Sequence, residues 1–212
     1  MVKPNSPLYL TTLKVIANIL IRLWLVIGLL MANSNDSKSL LDSLLFTASN
    51  QWGISKDQIM ENMNKIAFHE SKGNPSAIQQ SDKTTTGIGP GRGLFQFEVG
   101  EGQGAHTAIN RLTAQLNKQN LQIPEFLSEL DSADYDISVL PQEQQQMLFL
   151  GNLMQMPHKD GKGYGKASFK GVDTDQELAE YWAQYHQAGT KPGTPEYENM
   201  LDKFTQDVQF YK

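Results

Sequence analysis

Beyond residue 36 the chain carries apolar residues at spacings of three and four positions, separated by polar stretches. This spacing places the apolar side chains along one face of a helix. The sets that share it are Leu40, Leu41, Leu44, Leu45 and Ala48; Ile59, Met63, Ile66 and Ala67; Ala105, Ile109, Leu112 and Leu116; Met147, Leu148 and Met154; and Tyr197, Leu201, Phe204 and Val208. The pattern predicts a succession of amphipathic helices with little strand.

Residues with capping preferences stand where these helices should begin and end. Ser55 and Gln58 have the spacing of a capping box, and Gly73 with Pro75 indicates where the second helix stops. Further helix starts are expected at Pro141, at Asp173 or Thr174, and at Thr194–Pro195. Two Gly-rich segments are interpreted as loops, residues 76–104 and 159–173. These features favour a single globular domain over residues 36–212, all-α or a helix-dominated α+β fold.

The N-terminal segment, residues 1–35, has three cationic residues and no acidic one. Its uncharged apolar run, Leu23–Ala32, is shorter than the roughly 20 residues that a spanning helix needs. Small residues at its end, up to Ser34, fit a signal-peptide cleavage site. Two alternatives stay open: an uncleaved anchor that associates with a membrane through residues 8–32, and an extension upstream of a true start at Met31.

Composition narrows the possible partners and chemistry. The 212 residues suit one well-buried domain, and the formal net charge is -5. Nucleic acid is therefore not expected as a partner, because phosphate recognition depends on clustered Lys and Arg. The chain has no cysteine, which excludes disulfides, thiolate metal sites and a Cys nucleophile.

Glu70 is the candidate for acid–base chemistry. It lies eleven positions after Ile59, on the apolar face of the second helix and in its last turn. Partial burial and the negative end of the helix dipole both favour a protonated carboxyl, so its pKa should be raised. Such a group can act as a general acid. The alternative is a solvated carboxylate that pairs with Lys72.

Three short strings identify a family resemblance. Glu70–Ala77 reads Glu-Ser-Lys-Gly-Asn-Pro-Ser-Ala, Gly93–Phe97 reads Gly-Leu-Phe-Gln-Phe, and Tyr185–Gly189 reads Tyr-His-Gln-Ala-Gly. In this order, over about 120 residues, they resemble the motifs of lytic transglycosylases and goose-type lysozymes, including those of phage particles. The resemblance covers residues 55–190. The family usually has Asn where His186 stands, and Ser81–Arg92, interpreted as a mobile loop near the substrate, is longer than typical.

The resemblance implies a lysozyme-like domain whose cleft binds peptidoglycan glycan strands. Glu70 would protonate the oxygen between N-acetylmuramic acid and N-acetylglucosamine, then take the proton of the muramic acid C6 hydroxyl. An internal anhydro ring would close, and no water would be consumed. Neither cofactor nor metal is expected. His69–Glu70 begins like a zinc-protease helix, but Gly73 stands where the second His ligand is required.

The resemblance also implies four substrate-binding residues, three of them with an alternative role. Ser71 would bind a sugar or orient Glu70, or instead satisfy a helix-end carbonyl. Gln96 would contact an acetamido group, or instead stabilise its own loop. Phe97 would line the cleft by packing in its wall, rather than by contacting the reacting groups directly. Tyr185 would support developing charge near Glu70, or instead pack in the core.

Two other functions stay open. A hydrolysing muramidase would use Asp82, Glu98 or Glu101 to activate water. A catalytically inactive lysozyme-like protein would serve as a virion component or glycan-binding module. The expected location is the periplasm or cell envelope after export, or a phage virion acting at the host wall, with other virion proteins as partners.

Overall fold

The computed structural model describes residues 37–100, 102–132, 134–159, 164–166, 168–186 and 191–211. Contacts divide the chain into residues 1–40 and residues 41–212. The predicted signal or anchor segment, residues 1–35, lies outside the described residues. Within the described part, no helix is both long and apolar enough to cross a bilayer.

Helices dominate the described residues, as the apolar spacing predicts. They are α1 (37–52), α2 (Lys56–Ser71), α3 (Gly104–Lys118), α4 (Phe126–Ser132), α5 (Gln142–Gln155), α6 (Asp175–His186) and α7 (Pro195–Gln209), with a short 3-10 turn at Ile137–Val139. The predicted apolar faces of α2, α3 and α5 are buried. Helix α4 was not predicted, because two turns are too short to show a period.

The predicted caps are present at the helix starts. The Ser55 hydroxyl accepts from the Gln58 backbone N–H at 3.1 Å, and Thr194 caps α7 in the same way. Thr174 caps α6, and the Glu177 carboxylate accepts from its backbone N–H at 2.9 Å. Helix α2 ends where Lys72 turns into the left-handed region at φ 56°. Local capping chemistry therefore sets the bounds of these helices.

The interpretation of residues 76–104 as a loop was wrong in part. A small antiparallel sheet of order β1-β2-β3 lies there, with β1 at Ile78–Gln80, β2 at Ile88–Arg92 and β3 at Phe97–Glu98. Strand β2 contains Gly89, Pro90 and Gly91, residue types that are depleted in strands. The Arg92 side chain holds this backbone, because its Nη1 donates to the carbonyls of Gly89 at 2.6 Å and Gly91 at 2.9 Å.

Part of the second Gly-rich segment is also a hairpin. Strand β4 (Pro157–Lys159) pairs antiparallel with β5 (Tyr164–Lys166), where residues 159–173 were interpreted as a loop. Each strand has three residues, too few for an alternating pattern to be read from the sequence.

Among the described elements, α3 and α5 share the most extensive contact. Gly151 of α5 faces Leu112 of α3 so closely that a Cβ at residue 151 would lie 2.9 Å from the Leu112 Cα. Beside this contact, Phe149 stacks on Phe95 at 4.0 Å between ring centroids. Phe97 packs on Phe149 from β3. The core therefore ties the small sheet to the α3–α5 pair.

We expect Gly151→Ala to destabilise the protein. Helix propensity alone would favour Ala over Gly by up to about 1 kcal/mol. The added methyl would instead overlap the Leu112 backbone, and overpacking of this kind costs typically 1–3 kcal/mol. Thermal unfolding should show a lower Tm for Gly151→Ala, whereas the exposed-site control Asn110→Ala on α3 should not. A higher Tm for Gly151→Ala would contradict the close approach of the two helices.

Candidate active site

Glu70 lies in the last turn of α2, and a tryptophan from another helix holds its carboxyl group. The indole N–H of Trp182, on α6, donates to Glu70 Oε1 at 2.7 Å. The Trp182 side chain belongs to the core, at 3% exposed. A buried indole N–H needs an acceptor, and the carboxyl supplies it. Among the described side chains none donates to the second oxygen, Oε2, which leaves that atom to carry a proton.

The surroundings of Glu70 favour the neutral carboxyl. Burial raises the pKa of Glu70, and this outweighs the opposing effects of the Trp182 hydrogen bond and the positive charge of Lys203. The direction agrees with the sequence-based expectation, and desolvation is its main cause. The carboxyl thus has the property that a general acid requires.

The alternative pairing of Glu70 with Lys72 is wrong. Lys72 leaves the helix end in the left-handed conformation, and its Nζ lies 2.5 Å from Asp207 Oδ1 on α7. The Lys72 ammonium also lies over the Phe68 ring, 5.1 Å from its centroid. The nearest cation in sequence is therefore turned away from Glu70.

The second motif forms a tight turn joined directly to the first. Gly93, at φ 71°, donates its backbone N–H to the Ala77 carbonyl at 2.8 Å. Gln96, at φ 47°, closes the turn, because its Nε2 donates to the Gly93 carbonyl at 2.8 Å. The Gln96 amide nitrogen is thus used within its own loop, which is the alternative role considered for it.

Gln145 of α5, which no motif includes, bridges the same two segments. Its Oε1 accepts from the Leu94 N–H at 2.7 Å, and its Nε2 donates to the carbonyls of Pro75 at 2.9 Å and Leu140 at 2.8 Å. The side chain is fully buried. One amide therefore fixes the loop after Glu70 relative to the Gly93–Gln96 turn.

The remaining predicted residues are placed as follows. The Ser71 hydroxyl donates to the Ala67 carbonyl at 2.9 Å, which is the helix-end role rather than a contact with Glu70. Phe97 is 8% exposed and packs against Phe149, so the geometry favours the packing role. Tyr185 lies in the last turn of α6, one turn after Trp182, and its side chain is outside the described part of the structure.

Trp182 is the residue that sequence reasoning missed. The signal was its position three residues before Tyr185, which places both on neighbouring turns of one helix face. A large aromatic with one polar atom at a buried position also requires an acceptor, and Glu70 was the unpaired candidate.

The candidates for a second carboxylate are Asp82, Glu98 and Glu101. Asp82 and Glu98 are exposed, and Glu101 lies outside the described residues. In the part of the chain that the structure describes, no group of three or more His, Asp or Glu side chains is arranged to hold a metal ion.

Comparison with known proteins returns no match. No protein-family model, curated protein or solved structure matches this chain. The family resemblance therefore depends on the three sequence motifs alone.

We expect Gln145→Leu to destabilise the fold by about 3 kcal/mol or more. The change keeps the volume but leaves the Leu94 N–H and two carbonyls without partners, each at a cost of roughly 1–3 kcal/mol. Thermal unfolding should show Tm lower by roughly 6–12 °C. The same change at exposed Gln142 is the control. An unchanged Tm for Gln145→Leu would contradict the bridging role.

We expect Glu70→Gln to stabilise the protein increasingly as pH rises. Because the folded-state pKa of Glu70 is raised, its contribution to stability is present below the unfolded pKa, about 4.3, and is lost as pH rises through the folded pKa. Gln cannot ionise and escapes this loss. Each pKa unit between folded and unfolded states is worth about 1.4 kcal/mol, or roughly 3–6 °C in Tm.

The measurement is Tm from pH 4 upward for wild type and Glu70→Gln, with Glu143→Gln as an exposed control. The Tm advantage of Glu70→Gln should widen with pH and then level off, while that of the control should not widen. A constant difference across pH would show that Glu70 titrates alike in the folded and unfolded states.

Proposed function

We propose that the protein is a lytic transglycosylase that cleaves peptidoglycan glycan strands, with Glu70 as the single catalytic acid and base. The observation that carries the proposal is a partly buried carboxyl at a motif-bearing helix end, with a raised pKa and one oxygen fixed by the Trp182 indole. The intact motif order supports a lysozyme-like arrangement with a substrate cleft in this domain.

The two oxygens of Glu70 suit the two halves of the reaction. Oε1 accepts the indole hydrogen bond, so the proton resides on Oε2 and can pass to the glycosidic oxygen as the bond breaks. The carboxylate that results is stabilised by the same indole N–H. It then takes the proton of the muramic acid C6 hydroxyl as that oxygen bonds to C1, which closes the anhydro ring and restores the acid.

A single carboxyl is sufficient for this chemistry. The nucleophile belongs to the substrate and is already held near the anomeric carbon, so no second base has to orient a water. A hydrolysing muramidase is the alternative and requires a second carboxylate opposite Glu70. Asp82 and Glu98 are exposed and Glu101 lies outside the described residues, so product analysis has to decide between the two reactions.

The proposed setting follows from the substrate. The protein would act at the cell wall, either after export through residues 1–35 or as part of a phage virion that opens the wall locally. Glycan strands are its proposed partner. An inactive structural or glycan-binding protein of this fold would have no use for a carboxyl whose pKa is raised by burial.

We expect the full chain to clear peptidoglycan in a zymogram and Glu70→Gln to lose clearing. Loss of a general acid removes roughly 10²–10⁴-fold in rate. The control is Glu61→Gln, which changes an exposed carboxylate on the same helix, ion-paired to Lys65, and should leave clearing unchanged.

Mass spectrometry of the products distinguishes the two reactions. Anhydro-muramoyl ends are lighter by one water than the reducing ends that hydrolysis leaves. Reducing ends alone would establish the muramidase and overturn the transglycosylase. Equal clearing by wild type and Glu70→Gln, or none by either, would overturn the catalytic role of Glu70.

A further inference from the structure

A second layer of side chains lies behind the Glu70–Trp182 pair. The His69 ring meets the Trp182 ring edge-on, with 4.5 Å between centroids and 74° between planes. Phe204 of α7 contacts the same two rings, at 5.2 Å from Trp182 and 4.8 Å from His69. The indole that holds Glu70 is therefore enclosed by one residue of α2 and one of α7.

His69 is in turn held by α7. Its Nδ1 lies 2.8 Å from Asp207 Oδ2, with the distance of an ion pair but without the alignment of a hydrogen bond. The His69 side chain is only 8% exposed. A buried imidazole has two polar edges, and the Asp207 contact fixes which edge faces α7 and which part of the ring faces Trp182.

The charges around this pair keep Asp207 ionised. Burial works against ionisation, but the hydrogen bond and charge of Lys72, together with His69, hold the pKa of Asp207 below its ordinary value. Burial lowers the pKa of His69, with Lys72 and Lys203 acting in the same direction and Asp207 against it. A neutral imidazole beside a fixed carboxylate is the arrangement that these groups favour.

We propose that His69 and Asp207 are positioning residues for the general acid, because they lock the Trp182 ring in the orientation that donates its N–H to Glu70. This inference rests on the proposed function for its catalytic meaning, although the contacts stand independently of it. The path runs from Asp207 on α7 through His69 on α2 and Trp182 on α6 to Glu70. Helix α7 is then part of the catalytic apparatus, though no motif residue lies on it.

The simpler possibility is that these side chains only fill the core. A core role predicts that Asp207→Asn and His69→Gln change stability and leave the Trp182–Glu70 hydrogen bond as it is. A positioning role predicts that both variants change this hydrogen bond. The matched control is Asp202→Asn, the same substitution at an exposed position of α7.

The indole N–H of Trp182 provides a readout that does not depend on activity. In the ¹⁵N-labelled full chain three tryptophan indole signals are expected, and Trp182→Phe identifies the relevant one. Its chemical shift should move with pH as Glu70 titrates, and Glu70→Gln should abolish this movement. In Asp207→Asn and His69→Gln this pH-dependent change in chemical shift should fall to less than about half of the wild-type change, and the signal should lie nearer that of a free indole. The control Asp202→Asn should match wild type.

Kinetics on solubilised peptidoglycan provide the second readout. For Asp207→Asn and His69→Gln we expect kcat to fall about tenfold with KM nearly unchanged, a part of the roughly 10²–10⁴-fold that a general acid contributes. Asp207→Glu, which keeps the charge, should recover part of the rate. A rise in KM alone would contradict positioning of the acid and indicate a role in substrate binding.

The two readouts separate the inference from the proposed function. If wild type has no glycan-cleaving activity, the proposed function fails and the indole signal still tests the positioning. If both variants keep the wild-type pH response, the positioning is overturned even where Glu70 is shown to be catalytic. Should one of the two variants lose its helical circular dichroism, the other decides, because each removes the His69–Asp207 contact from a different helix; an unchanged indole response in the folded variant overturns the proposal.

Discussion

A carboxyl group withdrawn from water needs a hydrogen-bond donor, and the site depends on how this chain supplies one. Helix α2 cannot satisfy Glu70 from within, because the last turn of a helix presents carbonyls rather than N–H groups. The donor comes from α6 as the Trp182 indole, at 2.7 Å. The indole is large enough to exclude water, and it carries a single N–H. One residue therefore both desolvates the carboxyl and, through its hydrogen bond, partly compensates the cost of that desolvation. The packing of α2 with α6 and α7 is thus inseparable from the chemistry of Glu70.

The two loops beside the acid are joined through backbone groups rather than through charged side chains. Gly93 donates to Ala77, and Gln145 reaches both loops from α5. Backbone and amide contacts of this kind hold their geometry over a wide pH range, because neither partner titrates. The charges that act on the pKa values of Glu70 and His69 lie on α7, at Lys203 and Asp207, and just after α2, at Lys72. The positions of the loops and the protonation of the acid are therefore controlled by separate sets of residues.

The sequence predicted those features that are determined locally. Apolar spacing and capping residues such as Ser55 and Thr194 identified the long helices, because a helix is stabilised by neighbours along the chain. The same rules missed β2, since its Gly-Pro-Gly backbone is held in the sheet by Arg92 and by pairing with the neighbouring strands β1 and β3, which no local pattern encodes. Glu70 could be found from its helix face and motif. Trp182 and Gln145 were missed, because the contacts that join them to the motif segments span more than 50 residues and belong to no periodic pattern.

The Gln145 bridge has a consequence for how relatives of this chain can be recognised. Its amide accepts one hydrogen bond and donates two, so a carboxylate, a hydrocarbon or a hydroxyl would each lose at least one of the three contacts. In a homologue most of the loop residues could differ and the arrangement could still be kept, because the loops bond to Gln145 through main-chain atoms. The amide on the facing helix is far less replaceable. A structural search for a buried glutamine that bonds to two loop backbones could therefore identify relatives whose motif sequences have already diverged.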